Sequence, residues 1–174
     1  KFPHRKPMRL PEYDYSDGGE YFVTLVTQDR EMLFGEVIDG EMRLNEFGKI
    51  VEFTWKDLLN HNRDIDLDEF AVMPNHFHGI IQIFEPTDNN VGGAESVGAG
   101  SEPTPTKEPV GNKHPNLSEI IRQFKTFSAR RINAMRGSPG RPVWQRNYYD
   151  HILRDEQDYE NTVNYIFLNP QNWE

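Results

Sequence analysis

Apolar and polar positions alternate in several short stretches of the chain, as they do in strands with one buried face. Runs rich in β-branched and aromatic residues predict strands at residues 20–28, 33–38, 41–44, 66–74, 76–84 and 143–153, the last as a strand or an extended segment. The Asp39-Gly40 pair between the second and third runs favours a two-residue hairpin turn.

Three other stretches have apolar residues at helical spacing and predict helices at residues 45–60, 117–136 and 155–168. Asn45 suits the N-cap of the first, and Pro170 ends the last because a residue before proline disfavours helix. Residues 85–116 are mainly small and polar, which is typical of a long flexible loop or insertion. The order predicts one α+β domain over residues 1–174, with a core at about 20–170 and an antiparallel sheet whose helices pack mainly on one face.

Composition narrows the class of protein. No stretch approaches the roughly 18 consecutive apolar residues of a membrane span, and the first ten residues lack the apolar core of a signal peptide, so we expect a cytoplasmic protein without a membrane partner. The absence of cysteine excludes disulfides, thiol catalysis and cysteine-ligated zinc.

Charge is unevenly distributed along the chain. The net charge is -9, yet residues 111–154 hold nine Lys or Arg against two acidic residues. The net charge of this stretch is therefore +7, and that of the rest of the chain is -16. This asymmetry indicates a local basic surface or, alternatively, an ordinary solvated helix face.

The His76-Phe77-His78 motif lies in a predicted strand, so both imidazoles share one face and Phe77 lies on the other. Two neutral imidazoles bind one divalent ion and leave positions open for substrate oxygens. Because the chain has six histidines, this spacing also arises readily by chance, and two ordinary strand histidines remain the alternative.

The last predicted helix presents Tyr165 outside its apolar stripe, and Asn169 follows one turn later on nearly the same side. A tyrosine attacks phosphorus when a metal polarises the phosphate. The alternative is a partly exposed tyrosine beside an asparagine that helps to end the helix. Three other tyrosines compete for the same role: Tyr148, Tyr149 and Tyr159.

Basic and aromatic residues interleave in the third predicted helix and the segment after it, a pattern typical of proteins that hold single-stranded nucleic acid. The same aromatics also suit a core. The candidate DNA contacts are Arg122, Lys125, Arg130, Arg131, Arg146 and Arg154.

Three blocks of sequence, in this order, resemble the REP-associated tyrosine transposases, a group of single-tyrosine HUH transposases. The blocks are VMPNHFHGII at residues 72–81, VWQRNYYDHILR at 143–154 and NYIFLNP at 164–170. The order of the three blocks is far more specific than any one of them.

The resemblance implies a ferredoxin-like HUH fold and a metal-dependent endonuclease and strand transferase that acts on single-stranded or hairpin DNA. His76 and His78 would bind Mg²⁺ or Mn²⁺, with Asn169 as a third ligand. Tyr165 would attack a DNA phosphate to give a 5′-phosphotyrosine and a free 3′-OH. His151 would have a supporting role, and a monomer is favoured over a homodimer.

Two departures from the family pattern bear on activity. The insertion at residues 85–116 is long and acidic, and the sequence ends four residues after Pro170, so no C-terminal DNA-binding extension is expected. The rival functions are a catalytically inactive nucleic-acid-binding module on the same fold, a metal-dependent phosphoesterase that activates water, and a protein-interaction domain.

Overall fold

The computed structural model describes residues 18–85 and 116–173. The predicted insertion at residues 85–116 lies almost wholly outside these ranges. The described elements, in chain order, are β1 (Gly19–Val26), β2 (Gly35–Ile38), β3 (Glu41–Leu44), α1 (Glu46–His61), β4 (Ile65–Met73), β5 (His76–Ile83), α2 (Leu117–Met135), β6 (Tyr149–Leu153) and α3 (Glu156–Leu168).

The predicted helices and strands are confirmed to within a few residues, except at 143–153. Only the second half of that segment is a strand, β6. The first half is attached to the end of β1 by few bonds, among them a single bridge between Thr27 and Trp144 and a bond from the Gln145 N–H to the Val26 carbonyl at 2.9 Å. This attachment is too short to make a regular ladder, so the segment stays extended but irregular.

Four strands form one antiparallel sheet in the order β4-β5-β1-β6. With their helices they follow the chain order β1-α1-β4-β5-α2-β6, which is the βαββαβ plan of ferredoxin-like folds. The predicted α+β fold is therefore confirmed. The β2–β3 hairpin is separate, and Asp39 and Gly40 have φ values of 53° and 77°, as its tight turn requires.

The two faces of the sheet are covered differently. Alternate residues of β1 and β5, such as Val23 and Phe77, point into a large core beneath α1 and α2, around Trp55. The intervening residues pack in a smaller cluster under α3, formed by Phe22, Ile80, Leu153 and Ile166. Two helices therefore cover one face and α3 covers the other, which agrees with the prediction that the helices lie mainly on one face.

Each helix begins with a side-chain cap. Asn45, Asn116 and Asp155 accept hydrogen bonds from backbone N–H groups three residues later, at 2.8 to 3.0 Å. Such caps contribute about 1 kcal/mol each. Of these caps, the sequence predicted only Asn45, because apolar residues at helical spacing do not by themselves fix where a helix starts. Among the described helices, none has both the length and the apolar character needed to cross a membrane.

Candidate active site

His76 and His78 lie side by side on the α3 face of the sheet. Their positions on β5 are opposite Val26 and Thr24 of β1, and their ring centroids are 4.6 Å apart. Phe77 points to the other face and is fully buried. The alternation predicted from the motif therefore places both imidazoles together, on the side that α3 covers.

His78 is almost fully buried, with a relative exposure of 3%. A hydrogen bond of 2.7 Å joins its Nδ1 to Oγ1 of Thr24, and its ring stacks on Phe22 at 5.3 Å. Its Nε2 has no hydrogen-bond partner within the described part of the chain. Burial, followed by the charge of His76, lowers the pKa of His78 to about 3. The imidazole is therefore neutral over the whole physiological range of pH.

His76 is held on both sides of its ring. Its Nδ1 lies 2.8 Å from Oδ1 of Asn75, and its Nε2 lies 3.3 Å from Oδ1 of Asn169. Burial lowers the pKa of His76, although the contact with Asn169 works against this. The side chain of Asn169 therefore reaches the histidine pair from the end of α3, across 93 residues of sequence.

Tyr165 stands beside the same pair. Its ring centroid is 5.2 Å from that of His78, and its edge meets Phe22 at 6.0 Å. The side chain is 52% exposed, because the next residue, Ile166, is the one that buries α3 against the sheet. The structure thus brings together the two histidines, the tyrosine and the asparagine that the sequence singled out.

The competing tyrosines have other positions. The hydroxyl of Tyr159 donates to Asp68 at 2.6 Å, and this bond is the first cause that raises the Tyr159 pKa to about 12. Tyr148 packs against the large core, on the side away from α3. Tyr149 lies on the α3 face but, unlike Tyr165, makes no ring contact with either histidine in the described residues. Proximity therefore favours Tyr165.

The predicted DNA contacts are not gathered at this site. Those on α2 lie across the sheet from the histidines, because α2 covers the other face. Two of them have internal partners: the Lys125 ammonium donates to the carbonyls of residues 145, 146 and 147 at 2.9 to 3.2 Å, and Arg131 pairs with Asp57 at 2.6 Å. Arg122 lies 3.6 Å from Glu119, and Arg130 is exposed.

The other predicted contacts lie at opposite ends of the sheet. Arg146 is exposed and follows Gln145, which bonds to Val26, the residue opposite His76. Arg154 is exposed at the far end of β6. The DNA-binding role of all six basic residues stays a prediction.

Arg30 is a residue near the site that the sequence did not indicate. It lies in a turn (Gln28–Arg30) where both Asp29 and Arg30 have positive φ, 55° and 56°. Two consecutive non-glycine residues in this region store strain, which buried Thr27 holds in place by bonds to the carbonyls of Asn75 and Glu31. The positive charge of Arg30 is one of the causes that lower the pKa of His76.

The two imidazoles and the amide of the site are donors that suit a divalent cation, but they carry no negative charge. The described residues contain no group of three or more His, Cys, Asp or Glu that could hold a metal, and the oxygen that lies beside the histidine pair is that of the Asn169 amide. If Nδ1 of His76 donates to Asn75, its Nε2 is an acceptor that faces another acceptor, Asn169 Oδ1. The separation of 3.3 Å also matches neighbouring ligands around an ion with metal–oxygen distances of about 2.1 Å. The unpartnered Nε2 of His78 fits the same interpretation.

Comparison of the sequence with known proteins gives two relatives. An uncharacterized protein of Haemophilus influenzae is 36% identical over 171 residues, which cover 98% of this chain and 91% of that protein. A second protein of that organism, named "Putative REP-associated tyrosine transposase", is 24% identical over 157 residues, covering 90% of this chain and 73% of its own. No family model matches the sequence.

The structural comparison agrees with the sequence. A solved structure described as a REP-associated tyrosine transposase bound to a REP hairpin superposes with a TM-score of 0.58 over 95% of this chain and 76% of its own, at 19% identity. At that identity the likeness establishes the fold.

A histidine pair on a central strand opposite a helix tyrosine is the arrangement that the resemblance to the single-tyrosine HUH transposases implies. The chain is similar in sequence to a protein named as a REP-associated tyrosine transposase and in fold to a solved one, and transposases are enzymes.

The buried, neutral His78 makes a testable contribution to stability. An unfolded histidine titrates near 6.5, so the unfolded chain binds one more proton than the folded chain between that pH and about 3. The contribution of His78 to the free energy of unfolding therefore falls as the pH falls below 6.5. Between pH 7 and pH 4.5, we expect the free energy of unfolding of His78→Asn to decrease by about 2 to 3 kcal/mol less than that of the wild type.

Urea unfolding at the two pH values, with EDTA present, measures this difference. Leu59→Asn, at an exposed position of α1 that does not titrate, is the control and should keep the wild-type dependence on pH. A His78→Asn protein that lost as much stability on acidification as the wild type would show that His78 is not held neutral.

Proposed function

We propose that this chain is a metal-dependent endonuclease and strand transferase for single-stranded DNA that forms a 5′-phosphotyrosine intermediate. The observation that carries the proposal is the meeting of Tyr165 and Asn169 of the α3 end with His76 and His78 of β5 on one face of the sheet. These residues are far apart in sequence, and neither core of the protein needs their polar groups in one place.

His76, His78 and Asn169 would hold the metal ion, Mg²⁺ or Mn²⁺. Once bound, the ion supplies positive charge that polarises a phosphate and stabilises a phenolate. Thr24 and Asn75 would act on the ligands themselves, because their bonds to Nδ1 fix each ring and leave Nε2 for the ion. Burial keeps both imidazoles in the neutral form that binds a metal.

Tyr165 would be the nucleophile. Its phenolic oxygen attacks the phosphorus and loses its proton, and the bond between the phosphorus and the 3′ oxygen of the preceding nucleotide breaks. The leaving 3′ oxygen takes up a proton. The products are a 5′-phosphotyrosine and a free 3′-OH. The fixed position of the ring beside His78 lowers the barrier by holding the nucleophile in place before the reaction.

The reverse step would join strands. A 3′-OH attacks the phosphotyrosine, and Tyr165 leaves with a proton. Because one phosphodiester bond is exchanged for another in each direction, strand transfer needs no external source of energy. The half-exposed position of Tyr165 leaves room for DNA strands to exchange at the phosphorus.

The substrate would be single-stranded or hairpin DNA. A solved relative is described as bound to a REP hairpin, and its fold is that of this chain. We propose that Arg30 and Arg146, at the end of the sheet where His76 lies, bind phosphates beside the scissile one. A cytoplasmic monomer remains part of the proposal.

The central test is a covalent DNA adduct on a denaturing gel. Incubation with a labelled pool of single-stranded hairpin oligonucleotides and Mn²⁺ should give a protein–DNA band that EDTA, Tyr165→Phe and His76→Ala each abolish. Tyr159→Phe, which removes a hydroxyl from the same helix, should keep the band because Tyr159 donates to Asp68 at the other end of α3.

The alternatives give different results in the same assay. A nucleic-acid-binding module would shift the oligonucleotides on a native gel without forming the band. A phosphoesterase would cleave them without an adduct. A band that persists in Tyr165→Phe would assign the nucleophile to another tyrosine and contradict the proposed role of Tyr165.

A change of charge at Asn169 should change the affinity for the metal, because all three proposed ligands are uncharged. We expect Asn169→Asp to bind Mn²⁺ roughly tenfold more tightly, since ligand charge is a main determinant of affinity for hard cations, and Asn169→Ala to bind it more weakly. Titration calorimetry on the DNA-free protein measures both. Asn164→Asp adds the same charge to an exposed position of α3 and should leave affinity unchanged. Equal affinities for all variants would remove Asn169 from the ligand set.

Arg30 should assist adduct formation through its charge. We expect Arg30→Ala to slow the reaction roughly tenfold at low salt, since a hydrogen bond to a charged group contributes about 1.5 kcal/mol or more. The loss should shrink at high ionic strength, where exposed charges are screened. Rates from quenched time courses give the comparison, with Arg43→Ala, exposed on β3, as the control. A rate for Arg30→Ala equal to that of the control would contradict this role.

A further inference from the structure

A cavity lies beside the histidine pair, on the other side of Tyr165. Its volume is about 230 Å³, and it lies between α3 and β6. We name it the α3–β6 pocket, after the elements that form it. Its lining residues are Phe22, Tyr149, His151, Asn161, Thr162 and Tyr165.

The walls of the α3–β6 pocket are aromatic. In the sheet, Phe22 pairs with His151 and Thr24 with Tyr149, so these ring-bearing residues of β1 and β6 share the α3 face. Tyr149 is 47% exposed, and within the described residues it has no stacking partner. Tyr165 closes the pocket from α3. An exposed ring at the rim of a cavity offers a surface on which a flat group can stack.

The polar groups of the pocket are fixed by bonds to their neighbours. The Nε2–H of His151 donates to both carboxylate oxygens of Asp158, at 2.9 and 3.1 Å, which orients the ring. The Oδ1 of Asn161 accepts from Gln157 at 3.2 Å. Within the described part of the chain, this leaves Nδ1 of His151 and the amide N–H groups of Asn161 without a partner. One ring nitrogen, which is an acceptor in the neutral imidazole, and one donor are thus held at the pocket for a ligand.

The size and charge of the pocket select the class of ligand. Its volume is below the roughly 300 Å³ at which pockets for small molecules begin, so it suits one flat ring system better than a whole nucleotide. None of its lining residues is Lys or Arg, so it does not suit a phosphate. A nucleobase is bound by aromatic rings on which it stacks, together with a hydrogen-bond donor and an acceptor at its edge.

We propose that the α3–β6 pocket binds the nucleobase of a nucleotide that flanks the scissile phosphate, an inference that rests on the proposed function. Tyr165 joins the two sites: one side of its ring faces His78, and the other side lines the pocket. A base stacked on Tyr149 would therefore hold its own backbone phosphate near the Tyr165 hydroxyl. Asn161 and His151 would read the edge of that base, which makes them specificity-determining residues.

Fluorescence of 2-aminopurine tests the pocket independently of cleavage. The probe is a hairpin oligonucleotide with single-stranded thymine tails, in which 2-aminopurine replaces one tail nucleotide at a time. Binding to the uncleaving Tyr165→Phe protein should quench the fluorescence at one tail position, and Tyr149→Ala in the same background should relieve most of that quenching. Phe53→Ala, an exposed aromatic on α1 across the sheet, should not. No quenching at any position, or quenching that Tyr149→Ala leaves unchanged, overturns the proposal.

Adduct formation gives the second measurement. In the wild type, an abasic site at the quenched position should slow the adduct roughly tenfold or more, since stacking of one base contributes about 1 to 3 kcal/mol. In Tyr149→Ala the same abasic site should slow it no more than about twofold, because the stacking partner is already gone. Equal losses in both proteins overturn the proposal. Quenching that Tyr149→Ala relieves, without an adduct in the wild type, supports the pocket and contradicts the proposed function instead.

Discussion

The pairing of β1 with β5 at the centre of the sheet is the constraint on which the site depends. Its register places Thr24 opposite His78 on one face, while Phe77 points into the core on the other, 4.7 Å from Trp55. Because side chains alternate along a strand, a slip of one residue would exchange these faces. It would place the histidines under α1 and α2 and Phe77 on the α3 face. The packing of the large core therefore fixes the orientation of the histidine pair on the opposite side.

Burial and hydrogen bonding keep this pair neutral and oriented, as the proposed metal site requires. Removal from water lowers the pKa of both histidines, so protons compete only weakly for their nitrogens. Thr24 and Asn75 engage Nδ1 of each ring, and Asn169 brings an oxygen to the same place. An uncharged ligand set would leave the charge of a divalent ion to be balanced by substrate phosphates, which would couple binding of the metal to binding of DNA.

The positive charge of the chain is divided between structure and surface. Part of the basic stretch is used internally: Arg131 joins α2 to Asp57 of α1, and Lys125 holds the irregular segment that precedes β6. Burial lowers the pKa of Lys125 to about 8, because removal from water disfavours the charged ammonium. The charge that acts on His76 instead comes from Arg30, which lies outside the basic stretch, in a strained turn. A count of charges along a sequence does not distinguish these uses.

The sequence by itself determined the elements, their order and the candidate chemistry. Alternation and helical spacing depend only on local geometry, so they identified the strands and helices and placed His76 and His78 on one face. One helical turn likewise related Tyr165 to Asn169. Only the tertiary structure decided that α3 covers the histidine face while α2 lies across the sheet, which separates most of the basic residues from the site. The same packing brought Arg30 near His76 and formed a pocket from His151 and Asn161. These relations join residues far apart along the chain, and no periodicity records them, because they arise from which faces the elements bury against one another.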